Sequence, residues 1–149
     1  MRIDIGYVSE LLSVFLNSDN AHIDINDFEK NGIKIESDTN TQAFDEKFLF
    51  HFQLLTENRL ISNRSLQCGD LRDLGISFGF GGDVCLSIVD LRLTQKGHDF
   101  ALALNNKEIL DKLKSELKDA PFKTIFDGSQ KLLQYFCKKK LNELLDDGA

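Results

Sequence analysis

Tryptophan is absent, proline and methionine each occur once in 149 residues, and twelve phenylalanines supply most of the aromatic content. A core built this way fills volume without indole or phenol groups that need a polar partner. The single proline leaves little room for a proline-rich linker. Cysteine is scarce as well: Cys68, Cys85 and Cys137 show no CxxC spacing. An odd, unpaired count argues against a disulfide framework or a zinc site and fits reduced cytosolic thiols. Cys85 and Cys137 stand in apolar runs and read as small core residues. The three histidines, His22, His51 and His98, have none of the spacings of a metal-binding helix, so neither a metal nor a cofactor is expected.

Long apolar runs are missing too. No stretch approaches the roughly 18 residues that mark a membrane span, and Met1-Arg2-Ile3-Asp4 lacks the basic-then-apolar order of a secretory signal. The expectation is a cytoplasmic protein without membrane contact. Asn63-Arg64-Ser65 then reads as a polar turn rather than a glycosylation acceptor. Positive charge is short in one half only. Residues 1–100 carry 9 basic and 16 acidic side chains, a balance of −7, whereas residues 101–149 carry 9 and 8, a balance of +1. Excess acid repels the phosphate backbone that supplies most non-specific DNA affinity.

What is present is a succession of amphipathic segments. Asp4 caps a first helix with Val8, Leu11, Leu12, Phe15 and Leu16 on one face. A short apolar alternation at 22–25 follows, then a brief helix over 27–31 with Asn26 as its cap and Gly32 as its stop. Beyond a polar loop, Phe44, Phe48, Phe52 and Leu55 recur at helical spacing and predict a helix over 44–58. Two β segments, 76–78 and 84–89, flank Gly79-Phe80-Gly81-Gly82-Asp83, which reads as a hairpin tip. This glycine run is too short for a dinucleotide fingerprint, and a strand rather than a helix follows it. Thr94 caps a helix to about Asn105, Ile109 to Leu117 mark another ending before Pro121, and a last one spans about 129–146.

Helix, short strand, short helix, helix, hairpin and helical tail is the order of a winged helix with a C-terminal appendage. Two stretches carry a resemblance. The run from Phe50 to Ile61 is similar to the "HLxxLxxAGLI" segment that closes the third helix of many bacterial winged helices, with Asn58-Arg59 where those have Ala-Gly. Arg92-Leu93-Thr94-Gln95-Lys96-Gly97-His98-Asp99-Phe100 is similar to a Leu-Thr-x-x-Gly-His-Asp/Glu-Phe segment. Together they resemble a family of small winged-helix proteins of bacterial genomes and prophages, a domain of unknown function. The resemblance implies the fold and a mobile-element setting. It brings no activity, substrate or catalytic residue.

The residues on their own offer no catalytic set. Gly97 reads as a close helix–strand approach, and His98 as packed or hydrogen-bonded against the strands. Asp45-Glu46 and Asp146-Asp147 stand where solvated charge is expected. The expectation is a non-enzymatic protein with an α+β fold: a winged helix-turn-helix core over 1–104 and a helical extension over 105–149, as a single domain.

With Phe44, Phe48, Phe52 and Leu55 inward, the third helix shows Asp45, Glu46, Phe50, Gln53, Leu54 and Glu57 outward, with Lys47 and His51 on its flanks. A DNA-reading helix offers Arg, Lys, Asn or Gln to base edges; this one is acidic. These residues therefore form a candidate face for a protein partner, and the alternative is a DNA-binding transcriptional regulator of the winged-helix type. Lys138-Lys139-Lys140 reads as a solvated face. Leu132, Leu133, Phe136, Leu141, Leu144 and Leu145 make the last helix apolar on one side, and Leu133, Phe136, Leu141 and Leu144 are the candidate seam of a homodimer.

Overall fold

The computed structural model describes residues 1–147. It is an α+β chain of six α-helices and two small antiparallel sheets among those residues. Two compact units divide it, one made of Glu10–His98 with Met1, the other of Arg2–Ser9 and the residues from Asp99 onward. The division falls between His98 and Asp99, within the helix that follows the last strand.

In the first unit, α1 (Ile5–Asn17) contributes its residues from Glu10 onward. Leu11, Leu12 and Val14 are buried there. The next helix, α2 (Asn26–Lys30), is too short to hold itself. Phe28 anchors it: the fully buried ring stands edge-on to Phe15, Phe48 and Phe52 at centroid distances of 5.8, 5.5 and 6.2 Å. Asn26 lies inside the first turn rather than capping it. Asp24 does that work, because its carboxylate accepts the Asn26 N–H at 2.8 Å while Asp27 accepts the Asp24 N–H at 2.8 Å. Phe44, just before α3 (Glu46–Glu57), and Phe48 and Phe52 within it continue the aromatic cluster, with neighbouring rings 5.6 and 5.3 Å apart.

β1 (Ile61–Asn63) pairs antiparallel with β4 (Leu91–Leu93), placing Ile61 opposite Leu93 and Asn63 opposite Leu91. Ile23 bridges the other edge of β4 through two backbone bonds with Leu91, of 2.9 and 2.7 Å. β4 thus lies between the apolar alternation near residue 23 and β1. A 3-10 turn (Leu71–Leu74) leads into the hairpin of β2 (Ile76–Phe78) and β3 (Val84–Leu86), which turns over residues 79–83 as the sequence predicts. Only one strand residue of that hairpin, Ile76, is buried. Cys85 pairs with Ser77 and is exposed, as are Phe78 and Leu86 on the other face, so it is not the core residue its apolar run suggested: this hairpin packs only Ile76 inward.

α4 (Gln95–Asn105) starts immediately after β4. A Cβ on Gly97 would stand 2.0 Å from the Leu60 carbonyl oxygen, so this helix start tolerates no side chain there. Thr94 is the expected cap. Its hydroxyl accepts the Gly97 N–H at 3.0 Å and donates to the Arg59 carbonyl at 2.7 Å.

The second unit has its own aromatic centre. Phe100, fully buried, lies 5.6 Å from Phe122 and 5.3 Å from Phe126. α5 (Lys107–Glu116) is capped by Asn106 and buries Ile109 and Leu113. α6 (Phe122–Asp147) starts well before residue 129, the predicted start. Pro121 ends one segment and opens the next, because proline is as acceptable before a helix as it is damaging within one. Gly128 sits inside α6, where a Cβ would approach Leu117 Cδ1 to 3.1 Å. The glycine is there for close packing and not as a boundary. Ile125 and Ser129 are the buried residues of α6, and its side chains from 137 to 147 are all exposed, Cys137 included.

Candidate functional site

α3 begins where the Asp45 side chain takes up a free helical N–H. The Phe48 N–H donates to Asp45 Oδ2 at 3.1 Å, and Asp45 Oδ1 lies 3.7 Å from Lys34 Nζ. Asp45 is thus the cap of the helix, half-buried, and its carboxylate is already engaged. Phe48, Phe52 and Leu55 turn inward with no exposure, and so does His51. His51 is therefore not on a flank of the outer face: its Nδ1 donates to the Lys47 carbonyl at 2.7 Å. Thr56 is buried too, with its hydroxyl donating to the Phe52 carbonyl at 2.8 Å.

The end of α3 replaces a glycine stop with an arginine. Arg59 has φ of +58°, the left-handed conformation that costs an L-residue roughly 1–2 kcal/mol. Two backbone bonds close the turn around it, Leu60 N–H to the Leu55 carbonyl at 2.9 Å and Arg59 N–H to the Thr56 carbonyl at 3.0 Å. The Arg59 guanidinium then lies over residues 68 and 69. Nη1 donates to Cys68 Sγ at 3.9 Å, and a Cβ on Gly69 would be 3.3 Å from the guanidinium carbon.

Between the outer side of α3 and the 69–71 segment lies a groove of about 610 Å³. Phe50, Gln53, Leu54, Thr56 and Glu57 line it from α3, and Gly69, Asp70 and Leu71 from the other side. Four of the seven residues expected on the partner face, Phe50, Gln53, Leu54 and Glu57, come together in it. Asp45 is spent on the cap, while Glu46 and Lys47 are exposed on the first turn of α3 outside the groove.

The apolar part of the groove is Phe50 and Leu54, both half-buried, with Leu71 facing them. Its charged part is Glu57 and Asp70, both exposed carboxylates. Asp70 is held below its ordinary carboxylate range, first by the Arg72 guanidinium at 3.1 Å and then by the Arg72 backbone N–H at 2.9 Å. Both contacts favour its ionised form, and the Arg72 guanidinium balances its charge. Sequence reasoning did not find Gly69, Asp70 or Leu71. Asp70 carries only the signal of a turn cap, and nothing in the sequence brings 69–71 to the side of α3.

The remaining candidates lie elsewhere. His98 is exposed in the first turn of α4 and borders a smaller pocket, about 300 Å³, with Phe15, Arg92 and Leu93 among its other walls. In the second unit, a pocket of about 510 Å³ is lined by residues 2–6 together with Lys114 and Lys118. Its Arg2 is paired with Asp119 at 2.8 Å, and Asp4 accepts the Tyr7 N–H at 3.0 Å as the cap of α1. Of the expected dimer seam, Leu133 and Phe136 are half-buried, with Lys112 Nζ 5.8 Å from the Phe136 ring centre, whereas Leu141 and Leu144 are exposed. Among the described residues, no group of three or more His, Cys, Asp or Glu side chains is placed to hold a metal, and no helix is long and apolar enough to cross a membrane. In comparisons with known proteins, no family model, no curated protein and no solved structure matches the chain.

Proposed function

We propose that this chain is a non-enzymatic interaction module of winged-helix type, working in the cytoplasm, whose α3 groove receives a protein segment that offers an apolar side chain beside a lysine or arginine. The observation that carries the reading is the groove itself: Phe50, Leu54 and Leu71 give it an apolar wall, and Glu57 and Asp70 give it two carboxylates. Its volume falls within the few hundred to about 1,000 Å³ of ordinary binding clefts. An apolar anchor with complementary charge around it is the usual chemistry of a protein interface. Asp70 is already paired with Arg72 at 3.1 Å, so Glu57 is the carboxylate we assign to the incoming cation, with Asp70 adding to it at the groove's edge.

The winged-helix part of the proposal draws on element order. Three helices precede β1, β4 runs between β1 and the bridge at Ile23, and the β2–β3 hairpin is inserted where a wing would lie. The mobile-element setting comes only from the resemblance of the 50–61 and 92–100 segments. The same element order favours a second reading, a transcriptional regulator that lays α3 in the DNA major groove. Against it, the exposed charges of α3 are Glu46 and Glu57 with Lys47 alone opposing them.

The test is a displayed library of random peptides selected on the full chain. Enriched sequences should pair a large apolar residue with Lys or Arg, and Leu54→Asp should abolish their binding without unfolding the protein. In parallel, random-sequence duplex DNA should bind more weakly than roughly 10⁻⁴ M at physiological salt. Absence of enrichment together with micromolar, steeply salt-dependent duplex binding would reverse the order of the two readings.

A further inference from the structure

The last turns of α6 are apolar on one side, and that side is exposed among the described residues. Leu141, Leu144 and Leu145 are 55, 61 and 64 % exposed, and Cys137, also exposed, shares their face at the i, i+4, i+7 and i+8 spacing. A surface helix normally turns such a stripe toward a core. Residues 137–147, about three turns, are all exposed.

The charges beside the stripe say what would cover it. Lys138, Lys139 and Lys140 occupy one level of the helix, and Glu143, Asp146 and Asp147 occupy the levels that follow, all exposed. Lys140 and Asp147 are seven residues apart, so they stand on the same flank of the stripe. A second copy laid parallel would bring the lysine levels of both chains side by side. A second copy laid antiparallel brings the lysines of each against the acids of the other. With Lys140 facing the partner's Asp147, a two-fold axis passes close to Leu144 and generates the same pair twice.

We propose that the end of α6 is a self-association site, and that two copies pair antiparallel through Leu141, Leu144 and Leu145 with reciprocal Lys140–Asp147 contacts. The inference concerns the second unit and stands apart from the reading of the α3 groove. Three turns per chain make a small interface, below the size of stable dimers, so the association is weak and concentration-dependent.

Sedimentation equilibrium on the full chain tests it. A reversible dimer with a dissociation constant in the micromolar range is expected, and Leu141→Asp with Leu144→Asp should leave a folded monomer with unchanged circular dichroism. Lys140→Asp should weaken the dimer by roughly three- to tenfold, since it turns two weak attractions into repulsions. Adding Asp147→Lys to it should restore the dimer. In a chain with its three natural cysteines changed to serine, Leu144→Cys should crosslink to its copy under mild oxidation.

The pairing is overturned by a chain that remains monomeric at several hundred micromolar, or by a dimer that survives the double aspartate variant. Crosslinking of the natural Cys137 to its copy would overturn the antiparallel arrangement, whether or not Leu144→Cys crosslinks. A monomer that sediments with anionic lipid vesicles would assign the face to a membrane surface and overturn the proposal as well.

Discussion

α3 and the end of α6 both show apolar side chains to solvent, yet they hold them in different ways. α3 is anchored by Phe48, Phe52, Leu55 and His51, none of which is exposed, and its outer Phe50 and Leu54 are half-buried against a groove. The end of α6 has no inward face, and every side chain from 137 to 147 is exposed. One helix is positioned by a core and presents a shaped surface. The other continues from a packed helix and depends on propensity alone, which is marginal in water over so few residues. A fixed groove suits recognition of a foreign segment. A bare amphipathic stripe gains stability from whatever covers it.

The contrast is broken most directly at Phe52. Its ring stacks on Phe48 at 5.3 Å and meets Phe28 edge-on, so Phe52→Ala removes two aromatic contacts and leaves a cavity in the first unit. The expected loss is about 3–5 kcal/mol in urea unfolding. A loss near 1 kcal/mol would show that the cluster closes over the gap and that α3 is less firmly held than its burial implies.

Next in size is Gly97→Ala. The added methyl would stand 2.0 Å from the Leu60 carbonyl, a backbone atom that cannot swing aside. Separating α4 from residue 60, which follows the end of α3, should cost about 1–3 kcal/mol. An unchanged melting temperature would mean that the approach relaxes at little cost. Thr94→Ala follows at about 1 kcal/mol, because the N–H of Gly97 and the carbonyl of Arg59 both lose their hydroxyl partner. A urea midpoint equal to wild type would place the start of α4 elsewhere.

These sites show which parts of the fold were legible in the sequence. Periodicity located α1, α3, α4 and α5 to within a residue or two, because each has an apolar face and a capping side chain of its own. Thr94, Asp4 and the hairpin tip at 79–83 were readable for the same local reason. The first turns of α6 were not, since Pro121 reads as a stop and the apolar face that marks the helix begins only at Leu132. Cys85 and His51 were misplaced because burial on a two-stranded hairpin or on a short helix depends on what lies opposite. Half of the groove was legible in the outer face of α3. The other half, Gly69 to Leu71, reaches α3 through tertiary folding and leaves no mark in local pattern.

Arg59→Gly sharpens the comparison in the other direction. Glycine adopts a positive φ without the steric cost that Arg59 bears, but it gives up chain entropy and the guanidinium packing over Gly69. Taking about 1–2 kcal/mol of relieved strain against roughly 0.5–1 kcal/mol of entropy leaves about 0–1.5 kcal/mol, which the lost guanidinium packing reduces further. A small rise in the urea midpoint is the expected result. A fall would mean that the Arg59 side chain contributes more to holding the 68–69 segment than its backbone costs.

The smallest effect belongs to α6. Leu145→Ala deletes the most exposed of the three leucines in the stripe, one that buries little area within its own chain. In dilute protein, where the chain is monomeric, its stability should match wild type within about 0.5 kcal/mol, the ordinary range for a surface substitution. At concentrations where copies pair, the two proteins should separate, because binding stabilises the folded state in proportion to occupancy and the variant pairs less well. Amide exchange reads the same difference by residue: 137–147 should exchange fast at low concentration and slow as concentration rises, while α3 amides change little. If Leu145→Ala lowers stability by 2 kcal/mol or more in dilute protein, the end of α6 is packed within its own chain in solution. The contrast between an anchored helix and a bare one would then disappear.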